Sequence, residues 1–304
     1  MFYLLYSFPM RLLPHEIPKA VALLKAGKPV AMPTETVYGL AAPLFDAKAV
    51  ARVFALKKRP SDNPLIAHIA TLEQVHLVAE NLPDTFFLLA KAFWPGPLTL
   101  VVPRKATVPD IVSAGHPTLA VRMPAHPIAR ALIDAVGPLV APSANLSGKP
   151  SPTCAEHVLE DLDVPVFDGG ACAVGIESTV LSLVHEVPTL LRPGAISREE
   201  LERVLGQKVE RAHKNSPTLS PGMKYRHYAP KARVHFVNTV SDVCGSFVIS
   251  QKPVSTHTHR PLNAQSLYRF FREADAQNVS DIWVLADSSL DEALRNRIEK
   301  AASL

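Results

Sequence analysis

Residues 33–70 read PTETVYGLAAPLFDAKAVARVFALKKRPSDNPLIAHIA. A strand-like run from Pro29 to Met32 breaks at Pro33, and two threonines, a Glu and a Tyr precede Gly39. A helical pattern follows, with Asp46 placed as N-cap and Val50, Val53 and Phe54 spaced along one face. That helix is expected to deliver Lys57, Lys58 and Arg59 into a loop that Pro60 forces open. Asn63-Pro64 then turns the chain into a second strand-like run, Leu65 to Ala70, interrupted by His68. Hydroxyls, cations and an imidazole thus sit at the ends of apolar strands, where loops on a rigid scaffold carry binding groups. The basic tripeptide equally suits a helix C-terminus, whose dipole favours cations, so this stretch alone leaves both readings open.

The chain has 304 residues, enough for one large domain or two smaller ones, and 47% of them are hydrophobic. The formal net charge of +4 suits a polyanionic small ligand and is too small to demand nucleic acid. Cys154, Cys172 and Cys244 lie far apart with no C-x-x-C pair, which argues against a zinc ribbon or a disulfide scaffold and for a reducing, cytoplasmic setting. No run of 18 apolar residues predicts a membrane span. The apolar N-terminus MFYLLYSFPM lacks a basic n-region and a small-residue cleavage site, so it is not read as a signal peptide; Met1 and Met10 both stand as candidate starts.

Hydrophobic spacing predicts helices over 15–26, 84–93, 126–136, 153–161 and 198–205, and a capping-box pattern at Thr71-x-x-Gln74 predicts another. Strands are expected over 98–102, 118–122, 138–141, 164–167, 178–184 and 189–192. Strands and helices mix without strict βαβ alternation, which predicts a mixed α/β (α+β) class. Residues 206–230 lose periodicity and gain Pro, Ser, Lys and His, so they read as a linker. Beyond them a small α/β unit is expected: strands at 232–238, 246–250 and 281–286, helices at 265–276 and 290–302. The expected division is a first domain over 1–212, a linker or lid over 213–230 and an accessory domain over 231–304.

A second loop, LVAPSANLSGKPSPT at 139–153, crowds Ser143, Asn145, Ser147 and Ser151 between prolines and a glycine. With PTETVYGL at 33–40, Lys57-x-Arg59 and DNPL at 62–65, it resembles the threonylcarbamoyl-AMP synthases with the YrdC-like fold. WPGPLT at 94–99, AVRMP at 120–124, ESTV at 177–180, LLRPG at 190–194 and PGMKYRHYAP at 221–230 extend the resemblance in the same order. It implies a twisted mixed sheet with surrounding helices and a small Rossmann-like C-terminal domain, here shortened between its first strands and Leu267.

No Walker A and no G-x-G-x-x-G occurs, so an ATP site here must use side-chain cations and loop amides. Arg59 offers a planar fork to phosphate and Lys57 a point charge. The resemblance assigns Lys57 and Arg59 to catalysis, and Arg59, Asn63, Thr118, Ser143, Asn145, Ser151, Arg192 and Tyr228 to ATP. It assigns Thr36, His68, Arg122, Ala141 and Ser178 to L-threonine, Ala141 through its backbone because some relatives carry Thr there. Taken singly, Ser143 and Asn145 are also good turn residues, a strand His such as His68 is commonly a satisfied core residue, and Arg122 suits a structural salt bridge. The implied reaction joins L-threonine, bicarbonate or CO2 and ATP into threonylcarbamoyl-AMP with release of pyrophosphate. Mg2+ would be carried on the ATP phosphates with no direct side-chain ligand. The product would serve a transferase complex that modifies tRNA beside the anticodon. A carbamoyl-adenylating module of the hydrogenase-maturation type shares the fold but carries zinc-finger cysteines absent here. A double-stranded RNA-binding module, held by backbone charge on a concave basic surface, is the alternative from another class.

Overall fold

The computed structural model describes residues 10–212, 227–255 and 257–303. Of the expected linker, 213–226 lie outside the described residues, as do the first nine residues. Among the described residues one mixed sheet has eleven strands. It runs β1 (Arg11–Leu12), β8 (Val166–Phe167), β2 (Val30–Met32), β3 (Gly39–Pro43), β7 (Leu139–Val140), β4 (Ile66–His68), β6 (Thr118–Arg122), β5 (Leu98–Pro103), β9 (Thr179–Ser182), β10 (Thr189–Arg192) and β11 (Glu210–Arg211). Pairings β4–β6 and β5–β9 are parallel, whereas β5–β6, β4–β7 and β9–β10 are antiparallel. Its helices are α1 (Ile17–Lys25), α2 (Ala47–Lys57), α3 (Val75–Val78), α4 (Asp84–Phe93), α5 (Asp110–Ser113), α6 (Pro127–Val136), α7 (Ala155–Leu159) and α8 (Arg198–Leu205). The capping pattern at Thr71 yields only the short α3: the Gln74 side chain accepts from the Ala70 N–H, at 2.8 Å, and the helix starts at Val75. Part of the expected linker is strand, because Glu210–Arg211 pairs with Thr189–Leu190.

Strand alternation sorts the side chains onto two faces. Ala67, Leu100, Val102, Val121 and Leu181 enter the main core beneath α2, α4 and α8, with Val53, Phe54, Phe86, Leu89 and Leu201. On the opposite face, α1 and α6 cover one end through Leu24, Ile128, Leu132 and Ile133. The rest of that face has only a thin apolar layer: Ile66, Val101, Ala120 and Val180. It is left for something other than a helix.

The second unit is a parallel sheet in the order β12 (Arg233–Val237), β15 (Asp281–Leu285), β13 (Val248–Ser250), β14 (Arg260–Pro261). It is flanked by α9 (Leu267–Ala276) and α10 (Glu292–Ala302). Its core also takes in Val37 and Ile176 of the first unit, so the two units share buried apolar surface. Arg272 of α9 donates to Glu160 at 2.7 Å, Asp161 at 2.9 Å and the Pro150 carbonyl at 2.6 Å. Cys154, Cys172 and Cys244 are free. No helix among the described residues is long and apolar enough to cross a membrane.

After β10 the chain passes against the Glu177–Thr179 backbone at Gly194. A Cβ there would lie 2.2 Å from the Thr179 nitrogen and 2.5 Å from the Ser178 carbonyl carbon, and backbone cannot yield as a side-chain tip can. Gly194→Ala is expected to cost about 1–3 kcal/mol of stability, the range of overpacked sites. Urea unfolding checks this; an unchanged midpoint would show that the approach is looser than described.

Candidate active site

The uncovered part of the sheet is the floor of an open cavity. His68 and Arg122 are register partners on neighbouring strands, and Arg122 pairs with Thr99 on the next. Side chains at matched positions share a face, so the three stand side by side. Ile66 and Ala120, two residues before His68 and Arg122, provide the apolar layer beneath. Thr36, Ala141, Ser143, Ser178, Arg192, Arg59 and Tyr228 complete the wall with Val37, Pro142, Glu177 and His227.

At one end, Arg122 is 4% exposed. It donates to Glu35 Oε1 at 2.6 Å, Thr36 Oγ1 at 2.8 Å and the Gly96 carbonyl at 3.2 Å. Burial would raise the Glu35 carboxyl pKa, but the charge and hydrogen bond of Arg122, with the Ala125 N–H, hold it below the usual range. Arg122 is therefore both an ion-pair partner and a wall of the cavity, and its five donors are not exhausted by three bonds. Thr34 Oγ1 shares a hydrogen bond with Thr36 at 2.8 Å, and Thr99 does so with Ser178 at 2.8 Å. Burial, helped by the nearby Arg122 charge, pushes the His68 pKa down to about 3. His68 Nδ1 lies 3.1 Å from the Ile66 carbonyl, which can only accept. The neutral ring therefore carries its proton on Nδ1 and keeps Nε2 as an acceptor.

Asp46 caps α2, accepting from the Lys48 and Ala49 N–H groups. The helix ends one residue later than the basic run suggests: Lys57 is still helical and 1% exposed, and Lys58 takes the left-handed C-cap at φ 50°. Lys57 does not line the cavity. Its Nζ donates to the carbonyls of Ser143 and Asn145, the latter at 2.6 Å, and so shapes the Ser-x-Asn loop from behind. Burial, then repulsion from Arg59, pushes its pKa well down. Arg59 does line the cavity, anchored to the carbonyls of Asn63 at 3.2 Å and Pro64 at 2.9 Å.

Asn63, Thr118, Asn145 and Ser151 are buried or half-buried behind that wall. Both amide atoms of Asn63, the Thr118 hydroxyl and Asn145 Oδ1 have no protein partner. Such orphans are costly, and their occurrence on residues that the resemblance assigns to ATP suits a site whose polar partners arrive with a ligand. Ser151 instead donates to Glu177.

The far wall comes from the end of the linker and from the second unit. Ala229 N–H donates to the Gly148 carbonyl at 2.9 Å, which seats His227 and Tyr228 in the cavity. Tyr228 sits at φ 65°, a region few non-glycine residues adopt, and its ring stacks on Tyr268 with centroids 5.8 Å apart. Glu177 receives Arg297 Nε at 2.7 Å and the Tyr268 hydroxyl at 2.9 Å. Arg192 donates to the Ser178 carbonyl at 3.1 Å and to its hydroxyl at 3.2 Å.

These motifs have close counterparts. The Sua5/YciO/YrdC family model, described as telomere recombination, matches residues 22–194. The model for the threonylcarbamoyl-AMP synthase C-terminal domain matches 196–303. The chain belongs to the threonylcarbamoyl-AMP synthase family, and it is an enzyme. The Pyrococcus abyssi threonylcarbamoyl-AMP synthase is 51% identical over 233 residues, covering 73% of this chain and 68% of that one. The Schizosaccharomyces pombe threonylcarbamoyl-AMP synthase is 39% identical, covering 91% and 85%. A crystal structure of P. abyssi Sua5 complexed with L-threonine superposes with a TM-score of 0.86 at 39% identity, covering 96% of this chain and 97% of that one.

Three wall or wall-supporting residues of this family member escape single-residue reading: Glu35, Glu177 and His227. A buried strand Arg such as Arg122 demands an acid, and the Glu between Thr34 and Thr36 is the nearest in motif terms, so Glu35 was findable. Glu177 was not, because two of its partners lie about a hundred residues downstream. His227 has an unpartnered Nε2 and a pKa pushed to about 3 by burial and by Arg59.

The depressed imidazole pKa values of His68 and His227 set a pH dependence. The unfolded chain takes up these protons near pH 6.5 while the folded chain resists until about 3, so stability falls as pH drops below 6.5. The limiting slope is about 1.4 kcal/mol per pH unit per histidine. Urea unfolding between pH 7 and 5 is expected to show the decline, and His68→Gln to make it shallower by one proton; an identical slope in that variant would remove His68 from the account.

Proposed function

We propose that the cavity joins L-threonine, bicarbonate or CO2 and ATP to give threonylcarbamoyl-AMP and pyrophosphate. One observation carries this: three guanidinium groups, Arg59, Arg122 and Arg192, line the cavity, while the carboxylates beside them, Glu35 and Glu177, are already engaged by Arg122 and Arg297. Burying cations in such excess is unfavourable unless an anion joins them. Burial and the repulsion of Arg192 already draw the Arg59 pKa down to about 10. Substrates bearing a triphosphate and a carboxylate supply the missing charge.

The two ends divide the work. Arg122, with donors to spare, takes the threonine carboxylate, while Thr36, His68 and Ser178 surround its side chain and Ala141 contacts it through backbone. Arg59, Arg192, Ser143 and Tyr228 take the phosphates, backed by the orphaned groups of Asn63, Thr118 and Asn145. Lys57 acts through the loop it holds. The threonine amine adds to CO2 and loses a proton, giving a carbamate. A carbamate oxygen then bonds to the α-phosphorus as the bond to the bridging oxygen of pyrophosphate breaks. Fixed guanidinium groups stabilise the charge that moves onto the departing pyrophosphate, so no covalent nucleophile is required.

Magnesium finds no ready cage among the described side chains. No three His, Cys, Asp or Glu groups among them gather to hold a metal, and Glu177 is occupied by Arg297, Tyr268 and Ser151. In this reading a magnesium ion is carried on the ATP phosphates, and no step is assigned to it. The product belongs upstream of a transferase complex that modifies tRNA next to the anticodon.

Incubation with ATP, bicarbonate and L-threonine should release pyrophosphate and form the adenylate by mass. Valine should be slower by orders of magnitude, because a pocket built to pair with a hydroxyl rejects an analogue that leaves its groups unpaired. Arg59→Ala should weaken ATP binding about tenfold or more, the worth of a charge-assisted hydrogen bond. Equal turnover with valine would contradict the threonine assignment. Salt-sensitive RNA binding without ATP turnover would replace the whole reading.

A further inference from the structure

The C-terminal unit sends two side chains into the active-site wall. Arg297, on α10, has no exposed surface, and α9 supplies Tyr268, equally enclosed. Arg297 Nε donates to Glu177 Oε2 at 2.7 Å, and its Nη1 to the Pro193 carbonyl at 3.0 Å, beside the cavity residue Arg192. Its guanidinium carbon also lies 5.1 Å from the Tyr228 ring centroid. The Tyr268 hydroxyl donates to Glu177 Oε2 at 2.9 Å while its ring stacks on Tyr228. Glu177 in turn receives the Ser151 hydroxyl on its other oxygen.

We propose that Arg297 and Tyr268 are positioning residues for ATP: they hold the Glu177 carboxylate turned away from Arg192 and fix Ser151 and Tyr228 in the nucleotide wall. This rests on the ATP reading given above. The electrostatics explain why two groups are needed. Glu177 feels both Arg297 and Arg192, and these charges overcome the burial that would otherwise raise its pKa. If Arg297 were absent, Arg192 would be the strongest remaining attraction. A carboxylate that swung to it would cancel a cation meant for phosphate and drag Ser151 along. Tyr228, stacked on Tyr268 and beneath Arg297, would lose one of the two supports that the second unit gives it. None of this touches Arg122, His68 or Thr36, and Ser178, next to Glu177 in the chain, keeps its own bond to Thr99, so the threonine end should be largely spared.

A buried ion pair that merely glued the two units would behave otherwise: its loss would weaken both substrates together, in step with the fall in melting temperature that removing either partner brings. The test uses the full chain, with ATP and L-threonine affinities measured separately by calorimetry beside thermal melting. Arg297→Gln should weaken ATP about tenfold or more and leave L-threonine within about threefold. Arg297→Lys should recover part of the loss, and Tyr268→Phe, which keeps the stacked ring, should weaken ATP about threefold. In the double variant Glu177→Gln with Arg297→Gln, ATP binding should be no weaker than in the poorer single variant, because both act through one carboxylate. If Arg297→Gln does not fold, Tyr268→Phe decides. Wild-type ATP affinity in Arg297→Gln or Tyr268→Phe, or equal loss of both substrates, or multiplicative losses in the double variant, would each overturn the proposal. A wild-type chain that binds no ATP would overturn the functional reading and this one with it.

Discussion

The ion pair between Glu177 and Arg297 is the interaction through which the second unit reaches the cavity wall. A carboxylate and a guanidinium from distant parts of the chain meet with almost no water around them. Removing either partner would leave a bare buried charge, which is far costlier than losing an exposed pair. Around that pair the structure distributes its remaining charges unequally. Arg122 has Glu35, and Arg272 has Glu160 and Asp161. Arg59, by contrast, is anchored to neutral carbonyls. The protein thus neutralises its structural cations and leaves the cavity positive, which is what an anion-binding site requires and what a core would not tolerate.

The sheet makes this arrangement possible. One face is covered by helices along the main core. The opposite face is covered by α1 and α6 only at one end, so β4, β6, β5 and β9 present matched rows of side chains to an opening. Register does the placing: one residue of slip would carry His68 or Arg122 to the packed face, where neither could find a partner. The polar groups of the site are therefore as precisely positioned as the apolar ones beneath them, and by the same hydrogen-bond ladder.

Much of this was legible in the sequence. Asp46 as a cap, the helix from 84 to 93 and the strands around His68 and Arg122 follow from spacing alone, because local periodicity and capping decide them. Two local readings were off by the margin at which tertiary contacts override propensity. Lys57 belongs to the helix because its ammonium finds two carbonyls in the Ser143–Asn145 loop, an attraction no window around residue 57 contains. Glu210–Arg211 is strand because β10 has a free edge to offer it. The least legible part was the far wall. Nothing near Glu177 foretells Arg297, and within the polar stretch 206–230 only the resemblance pointed to Tyr228, which ends up 5% exposed.

Tyr228 shows why that wall had to come from far away. Its left-handed backbone costs on the order of 1 kcal/mol or more and persists only where the surroundings over-determine it. Three contacts do so: the backbone bond from Ala229 to Gly148, the stack on Tyr268 and the Arg297 guanidinium. One belongs to the first unit and two to the second. The strained conformation therefore requires both units docked, and so does the Glu177 geometry. Docking of the second unit and assembly of this wall of the cavity are in consequence one physical event. A single-unit protein with the same motifs would have to build that wall by other means.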